Sequence, residues 1–397
     1  MDGGEQDHGS SHDPLGMNRP LLLFVVVLGT LALVLASVSV SPPEASPILR
    51  IRGADISFTL QEEANNQHVS DSGKVAPVEK ILANHGANFV RVRLWVNPLP
   101  GTSDLESALT LARRAAAAGQ KLLLNLHYSD SWADRSTQRT PAIWRGLSHE
   151  ALVLTVETYT RETVSAFSRQ GTPPAIVQIG NEVTLGILWP YGQIHAVGGE
   201  DWAGFSELLK AGARGALAGN PTQPPRIMIH SDTGGDHDAS VYFYDQLRRH
   251  DVNFDVIGLT YYPFWNGPLA DLERNVRALA YRYDKDVIIA ETAYPWTLAS
   301  GKEASSVVSS ASALPEAATY PPTPEGQAKF FAALNQVLRE VPDERGAGYF
   351  IWEPGWLPGV RASEHAGNTH SNLTLFDWRG QGLPALEAFR PTGRATD

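Results

Sequence analysis

The sequence predicts an α/β protein folded as a closed (β/α)8 barrel, the TIM barrel, in a single catalytic domain with enlarged loops after the strands. From about residue 48, short apolar segments alternate with longer amphipathic segments, which is the pattern of strand–helix units in a parallel sheet. Eight such alternations over roughly 340 residues match the size of this barrel. A doubly wound open sheet is the alternative architecture.

The eight predicted strands are short apolar runs, at residues 49–56, 89–95, 121–127, 175–181, 226–230, 256–261, 287–291 and 348–352. Amphipathic periodicity predicts helices at residues 78–85, 104–118, 150–169, 201–218, 241–250, 269–283 and 324–341, with a short closing helix at 383–389. Residues 296–322, rich in Ser and Ala, are predicted to form a mobile loop over the site.

The predicted strands end repeatedly on aromatic, amide or ionisable residues. These are Trp95, His127, Asn181 with Glu182, His230, Tyr261, Glu291 and Trp352. A single such residue is ordinarily a solvated or capping residue of a loop. Because the carboxyl ends of barrel strands converge on one face, their recurrence predicts a functional site at that face.

The N-terminal region divides into a tail at 1–19, an apolar segment at 20–40 and a linker at 41–48, before the barrel domain at 49–391. The run LLLFVVVLGTLALVLASVSV indicates either a cleaved signal peptide or a membrane anchor. We therefore expect a protein that is secreted, or anchored and facing outward, with membrane contact only through this segment. Met17 is an alternative start to Met1. There are no cysteines, so stability must come from the core.

Composition narrows the class of partner. The formal net charge is −11 and basic residues form no patch, which argues against nucleic acid and favours a neutral substrate. Nucleotide-binding, flavin, serine-hydrolase and thiol motifs are absent, so no cofactor is predicted. The stretch HSDTGGDHD at 230–238 is the richest candidate for a metal site but lacks an established ligand spacing, so no metal is predicted. A monomer is expected.

Two carboxylates, Glu182 after the fourth strand and Glu291 at the end of the seventh, lie across the barrel mouth in this arrangement. Paired carboxylates suit acetal hydrolysis, in which one gives a proton to the leaving oxygen and the other meets the developing positive charge. Arg91, Arg93 and Tyr261 are candidates for keeping one of them ionised, although packing alone could also explain the arginines.

Polar and aromatic side chains near the strand ends suit a sugar. Sugar rings present apolar C–H faces to aromatic side chains, and amides bond to their hydroxyls. Eight tryptophans are predicted near the mouth: Trp95, Trp132, Trp144, Trp189, Trp265, Trp296, Trp352 and Trp356. The predicted substrate-binding residues are Asn181, Arg93, His127, Trp132, His230, Tyr261, Trp296 and Trp352.

Six segments carry a family resemblance, namely GADISFTLQEEANNQ, FVRVRLWVNP, LNLHYSDSWAD, VQIGNEVTLGILWP, FDVIGLTYYPFW and IIAETAYPW. In this order they resemble glycoside hydrolase family 53, the arabinogalactan endo-β-1,4-galactanases, from about residue 50 to 389. The resemblance implies a (β/α)8 barrel, Glu182 as proton donor and Glu291 as nucleophile of a retaining double displacement. It implies internal cleavage of the β-1,4-linked galactan of pectic side chains.

The sequence departs from the family pattern in three places. Arg135 stands where the family usually has Pro, and THSNLTLFDWRG replaces a common Trp-Glu-Asn segment. The calcium-binding cluster that many bacterial members carry in the seventh loop is not seen in GKEASSVVSSASALPEAA, so calcium is not carried over. Two other functions stay open: a related glycanase acting on mannan, xylan or cellulose, and a carbohydrate-binding barrel without catalysis.

Overall fold

Eight parallel strands close into a barrel in the computed structural model, which describes residues 47–392 except 197, 303, 364 and 365. The strands are β1 Ile51–Asp55, β2 Phe89–Leu94, β3 Lys121–Leu126, β4 Ile176–Ile179, β5 Arg226–Ser231, β6 Val256–Thr260, β7 Asp286–Thr292 and β8 Gly346–Ile351. Each strand pairs with the next in the chain, and β8 pairs with β1. The predicted barrel is confirmed, and closure excludes the open sheet.

Seven α-helices occupy the predicted positions between strands. They are α1 Val78–Asn84, α2 Leu105–Ala117, α3 His149–Arg169, α4 Trp202–Gly219, α5 His237–Arg249, α6 Leu269–Tyr283 and α7 Pro324–Arg339. A 3-10 helix, Pro384–Phe389, takes the eighth position, and short α-helices Thr59–Ala64 and Pro263–Asn266 lie in the loops after β1 and β6. Helix α5 begins four residues before its predicted start, because the Asp236 carboxylate caps it by accepting from the backbone N–H of Ala239.

Apolar side chains fill the barrel in two separate regions. One lies inside the strands and includes Ile51, Leu123, Met228 and Phe350, while a larger one packs the strands against the helices. Gly53 on β1 leaves room for the Phe350 ring, since a Cβ there would lie 2.4 Å from it. The interior is therefore packed, and open space is left at the ends of the strands.

The N-terminal tail, the apolar segment at 20–40 and most of the linker lie outside the described residues. In the part of the chain that is described, no helix has the length and apolarity needed to span a bilayer.

Candidate active site

A cavity of about 360 Å³ opens at the carboxyl ends of the strands. Of the ten residues that the sequence predicts for the site, seven line it: Arg93, His127, Trp132, Asn181, Glu182, Glu291 and Trp352. The remaining three, His230, Tyr261 and Trp296, do not. The two predicted catalytic carboxylates therefore face one cavity.

Glu182 reaches the cavity through a tight turn after β4. Gly180 and Glu182 both have left-handed backbone conformations, with φ of 77° and 49°. Such a conformation costs a non-glycine residue of order 1–3 kcal/mol, and it recurs at functional sites where neighbours hold it in place. Here the Thr260 hydroxyl donates to Glu182 Oε1 at 2.6 Å. The turn thus directs the carboxyl away from the core and towards the cavity.

His230 contacts Thr260, the residue that bonds Glu182, and does not line the cavity. This corrects its prediction as a substrate-binding residue. Its Nδ1 lies 3.1 Å from the Gln178 amide nitrogen, 3.4 Å from the Glu182 backbone nitrogen and 3.2 Å from Asn181 Oδ1. Because the Thr260 hydroxyl donates its proton to Glu182, it must accept from His230 Nε2, which leaves Nδ1 as the acceptor. Nε2 then carries the proton and donates to Thr260 Oγ1 at 2.9 Å. Burial, with a smaller contribution from Arg91, lowers the pKa of His230 well below its usual value and keeps this imidazole neutral.

Glu291 lies near the end of β7, where the pairing with β8 shifts register between Ile289 and Thr292. Such irregularities re-aim side chains beside active sites. Its Oε1 forms an ion pair with Arg91 Nη2 at 2.8 Å, and its Oε2 accepts from the Tyr262 hydroxyl at 3.3 Å. Both contacts stabilise the ionised carboxylate.

The two carboxyls differ in how easily they ionise. Burial, reinforced by the negative charge of Glu291, raises the pKa of Glu182 to about 8. Burial also raises the pKa of Glu291, but the Arg91 guanidinium opposes that rise. Glu291 therefore ionises first and Glu182 keeps its proton to higher pH, which is the division of protonation states that an acid and a nucleophile require.

Arg91 is held in place by buried partners on three sides. Its Nη1 pairs with Asp55 at 2.8 Å, its Nε donates to Gln178 Oε1 at 3.1 Å, and its Nη2 also donates to Asn181 Oδ1 at 2.7 Å. It is only 1% exposed. Its contact with Glu291 therefore has a fixed geometry, and Arg91 positions the nucleophile candidate.

Arg93 has a different partner. Its Nη1 pairs with Glu353 at 3.2 Å, and the guanidinium lies 4.3 Å from the Trp132 ring centroid and 4.8 Å from that of Phe58. Arg93 lines the cavity, and its buried Nη2 has no hydrogen-bond partner among the described residues. It is thus available to donate to a ligand, whereas Arg91 is the arginine that contacts Glu291.

Asn181 is 5% exposed and has most of its amide occupied. Its Oδ1 accepts from Arg91, Asn125 and Gln178, and its Nδ2 donates to the Ala133 carbonyl at 2.9 Å. An amide nitrogen carries two protons, so one donor is left to face the cavity.

Two further predictions of cavity contact are corrected. Tyr261 is buried, and its hydroxyl donates to the Gly267 carbonyl at 2.8 Å, so the next residue, Tyr262, lines the cavity. Trp296 packs against Trp378 at 5.3 Å and donates to Thr374 Oγ1, outside the cavity. Both predicted strands end within one residue of the observed ends, but Tyr261 and Trp296 follow those ends and the direction of each side chain depends on local backbone geometry.

Four of the eight predicted rim tryptophans line the cavity: Trp132, Trp265, Trp352 and Trp356. Trp95 lines a neighbouring cavity. Trp144 packs in the core against Tyr159, and Trp189 donates to the Leu185 carbonyl away from the cavity. His370 adds a ring that sequence reasoning missed, stacked 5.8 Å from Trp356.

The segment 296–322 does not line this cavity, which corrects its predicted position over the site. Val308 and Leu314 belong to the buried core, so two side chains of this Ser- and Ala-rich segment are packed against the barrel domain. The Asn372 amide donates to the carbonyls of Thr297 and Val308, which ties the segment to the loop after β8.

Within the described ranges, no group of three or more His, Asp or Glu side chains is placed to hold a metal ion. The stretch at 230–238 is divided between roles: His230 supports Glu182, Asp236 caps α5, and Asp232 pairs with Arg135 at 3.0 Å.

Three functional neighbours were missed in the sequence: Asp55, Tyr262 and Glu353. Each lies at or just after the end of a barrel strand, as the predicted residues do. Glu353 follows Trp352 directly, and burial raises its pKa well above the usual value. The strand-end pattern could have found Asp55 and Glu353, but only the structure shows which side chains meet.

Comparisons with known proteins extend the likeness over the whole barrel. The family model described as glycosyl hydrolase family 53 matches residues 51–389. An uncharacterized protein of Niallia circulans is 37% identical over 345 residues, 86% of this chain and 93% of its own. Arabinogalactan endo-beta-1,4-galactanase A of Aspergillus niger is 35% identical over 326 residues, 80% of this chain and 89% of its own. A solved family 53 catalytic domain from Ignisphaera aggregans has a TM-score of 0.81 at 34% identity, covering 88% of this chain and 99% of that one.

Proposed function

Because the chain belongs to glycosyl hydrolase family 53, we propose that this glycoside hydrolase cuts β-1,4-linked galactan, the polymer of pectic arabinogalactan side chains, internally and with retention of configuration. The substrate follows from curated relatives named arabinogalactan endo-beta-1,4-galactanases that share about a third of their residues with it. Glu182 is the proton donor and Glu291 the nucleophile.

In the first step, Glu291 attacks the anomeric carbon as the glycosidic C–O bond breaks, and Glu182 gives its proton to the leaving oxygen. The product of this step is a covalent glycosyl ester on Glu291. In the second step, Glu182, now ionised, takes a proton from water as that water displaces Glu291. Two displacements restore the original anomeric configuration.

The observation that carries this proposal is the shared cavity of Glu182 and Glu291 and the contrast between their partners. Glu291 contacts Arg91 and Tyr262, while Glu182 accepts only from the neutral Thr260 hydroxyl among the described side chains. The free donors of Arg93 and Asn181 and the rings of Trp132 and Trp352 are suited to bind a sugar beside them.

Replacing each glutamate separately tests the two roles. Glu291→Ala removes the nucleophile, so we expect turnover of galactan to fall by at least about a thousandfold, of the order that loss of a main catalytic group causes. Added azide then fills the vacated space and yields a glycosyl azide of inverted configuration, detected by NMR. Glu182→Ala keeps the nucleophile, so it loses far less on aryl galactosides with activated leaving groups than on galactan.

The outcome that contradicts the assignment is full activity of Glu291→Ala, or equal losses of Glu182→Ala on both substrates. A substrate panel of galactan, mannan, xylan and cellulose separates the galactanase from the related glycanase. A barrel that only binds carbohydrate would release no reducing ends from any of them.

We further propose that the enzyme acts outside the cell as a monomer and without calcium. Its polymeric substrate and the apolar segment at 20–40 support an exported enzyme, either cleaved or anchored. The missing acidic and amide cluster in the seventh loop supports independence from calcium.

A further inference from the structure

A second cavity, of about 460 Å³, adjoins the catalytic one and shares Trp265 with it. We call it the Arg135 cavity, and its wall includes Arg135, Asp232, His237, Asn266 and Arg274. A third cavity, of about 510 Å³, adjoins the catalytic one through Trp132 and Ala362. Both neighbouring cavities therefore border the catalytic one through shared wall residues.

The Arg135 cavity has the chemistry of a sugar site. Arg135 and Asp232 form an ion pair at 3.0 Å, and the Arg135 side chain is 61% exposed, with donors free for hydroxyls. Trp265 is 59% exposed and offers an aromatic face. His237 Nδ1, which is buried, has no hydrogen-bond partner in the described part of the chain.

The wall of this cavity is held in place. The Asp232 carboxylate accepts from the Thr184 hydroxyl, and its carbonyl accepts from the Asn266 amide at 3.1 Å. These contacts join the loops after β4, β5 and β6. A preformed wall of this kind lowers the entropy lost when a ligand binds.

The contact between Thr184 and Asp232 also shows on which side of the reaction this cavity lies. Thr184 follows Glu182 by two residues, and Thr260, which bonds Glu182, ends the strand that leads to Trp265. The acid must contact the leaving oxygen. Sugars of the leaving group that continue past Glu182 would therefore reach the Arg135 cavity, with the glycone on the other side of the cleaved bond.

We propose that the Arg135 cavity binds a neutral glycosyl unit of the leaving group, and that Arg135, oriented by Asp232, determines how strongly that unit is held. This inference rests on the proposed galactanase function. Arg135 stands where the family usually has Pro. The proposal therefore concerns where along the substrate this chain prefers to cut.

Cleavage of a galactopentaose labelled with ¹⁸O at its reducing end tests the proposal, with fragments separated by mass. The label stays on the leaving group. In Arg135→Ala, weaker holding of the leaving-group sugars moves cleavage towards the reducing end, so the labelled fragments become shorter. We expect kcat/KM for the pentaose to fall about tenfold more than for an aryl galactobioside, as loss of one hydrogen bond to a charged group implies.

Two matched variants serve as controls. Arg113→Ala, on the exposed face of α2 and outside the walls of all three cavities, leaves the fragment pattern as in the wild type. Arg361→Ala, in the third cavity, should not shorten the labelled fragments, because the same shift as in Arg135→Ala would show that the effect is not specific to the Arg135 cavity.

An unchanged fragment pattern in Arg135→Ala overturns the proposal. Equal losses on the pentaose and the aryl galactobioside also overturn it, because the ion pair would then act on Glu182 and not on a sugar. Failure of the proposed function is distinct from both, since the wild-type enzyme would then leave the pentaose uncut.

Discussion

Thr260 and Arg91 are the residues that distinguish the two glutamates of the cavity. Arg91 places a buried positive charge against Glu291, and Thr260 offers Glu182 only a neutral hydroxyl. Burial acts on both carboxyls in the same direction, so the difference between them comes from these partners. These two partners, together with the negative charge of Glu291 acting on Glu182, therefore separate the pKa values of the two carboxyls.

The pH dependence of kcat/KM follows from these partners. Under the proposed roles, activity needs Glu291 ionised and Glu182 protonated, so it rises as pH passes the pKa of Glu291 and falls as pH passes that of Glu182, at about pH 8. We expect a bell-shaped profile for galactan, measured by reducing-end release. On an aryl substrate that needs no acid, the alkaline fall of the first step should be absent in Glu182→Gln.

If kcat/KM of Glu182→Gln on the aryl substrate still falls at alkaline pH, a group other than Glu182 causes that fall. His127 and His230 are excluded as its source, since burial lowers the pKa of each well below its usual value.

At the scale of elements, an irregular strand and a tight turn position the two glutamates. The register shift in β7 aims Glu291, and the turn at Gly180 aims Glu182. The helices hold this arrangement from outside, and α4 packs closely on α3 through small residues. A Cβ at Gly215 would lie 2.4 Å from the Glu157 carbonyl oxygen, and one at Gly219 would lie 2.6 Å from Val164 Cβ.

Gly215→Ala should therefore push α4 away from α3. Overpacking of this kind costs roughly 1–3 kcal/mol, which exceeds the gain in helix propensity of about 1 kcal/mol. We expect a lower free energy of unfolding in urea. Leu217→Ala, at a position 43% exposed on the same helix, is the matched control and should change stability little. A more stable Gly215→Ala would show that the helices separate without cost.

At the scale of the whole molecule, the barrel buries a set of charges at its mouth. Asp55, Arg91, Arg93, Glu291 and Glu353 are all at most 8% exposed, and two ion pairs run from Arg91 while a third joins Arg93 to Glu353. Burying ionised carboxyls opposes folding unless they are paired. The three ion pairs offset part of this cost.

This arrangement gives stability a defined dependence on pH. A carboxyl whose pKa is raised on folding contributes its full stabilisation at pH values below its ordinary pKa of 4.5. That stabilisation is lost as pH rises through the pKa of the carboxyl in the folded protein, which is about 8 for Glu182. We expect the melting temperature of the wild type to fall between pH 5 and 9, and Glu182→Gln to fall less. Calorimetry over this range measures both.

Glu162→Gln, at a side chain 70% exposed on α3, is the control and should keep the wild-type slope. Identical slopes in the wild type and Glu182→Gln would mean that Glu182 ionises as easily in the fold as in water.

The sequence by itself determined the barrel, its strand order and the two glutamates. Apolar periodicity reports which segments are buried, and strand ends in a parallel barrel share one face whatever the details. The strand pattern also placed Asn181, Arg93, His127, Trp132 and Trp352, all of which line the cavity.

Only the tertiary structure decided which neighbour each side chain meets. Tyr262 and not Tyr261 faces Glu291, Arg91 and not Arg93 pairs with it, and His230 acts through Thr260. For Tyr261 and Tyr262 the physical reason is that one residue of shift at a strand end reverses the direction of a side chain, whereas Arg91 and Arg93 point to the same side and differ in the partners within their reach. Hydrogen bonds between residues distant in the chain depend on that direction, and local sequence pattern does not contain it.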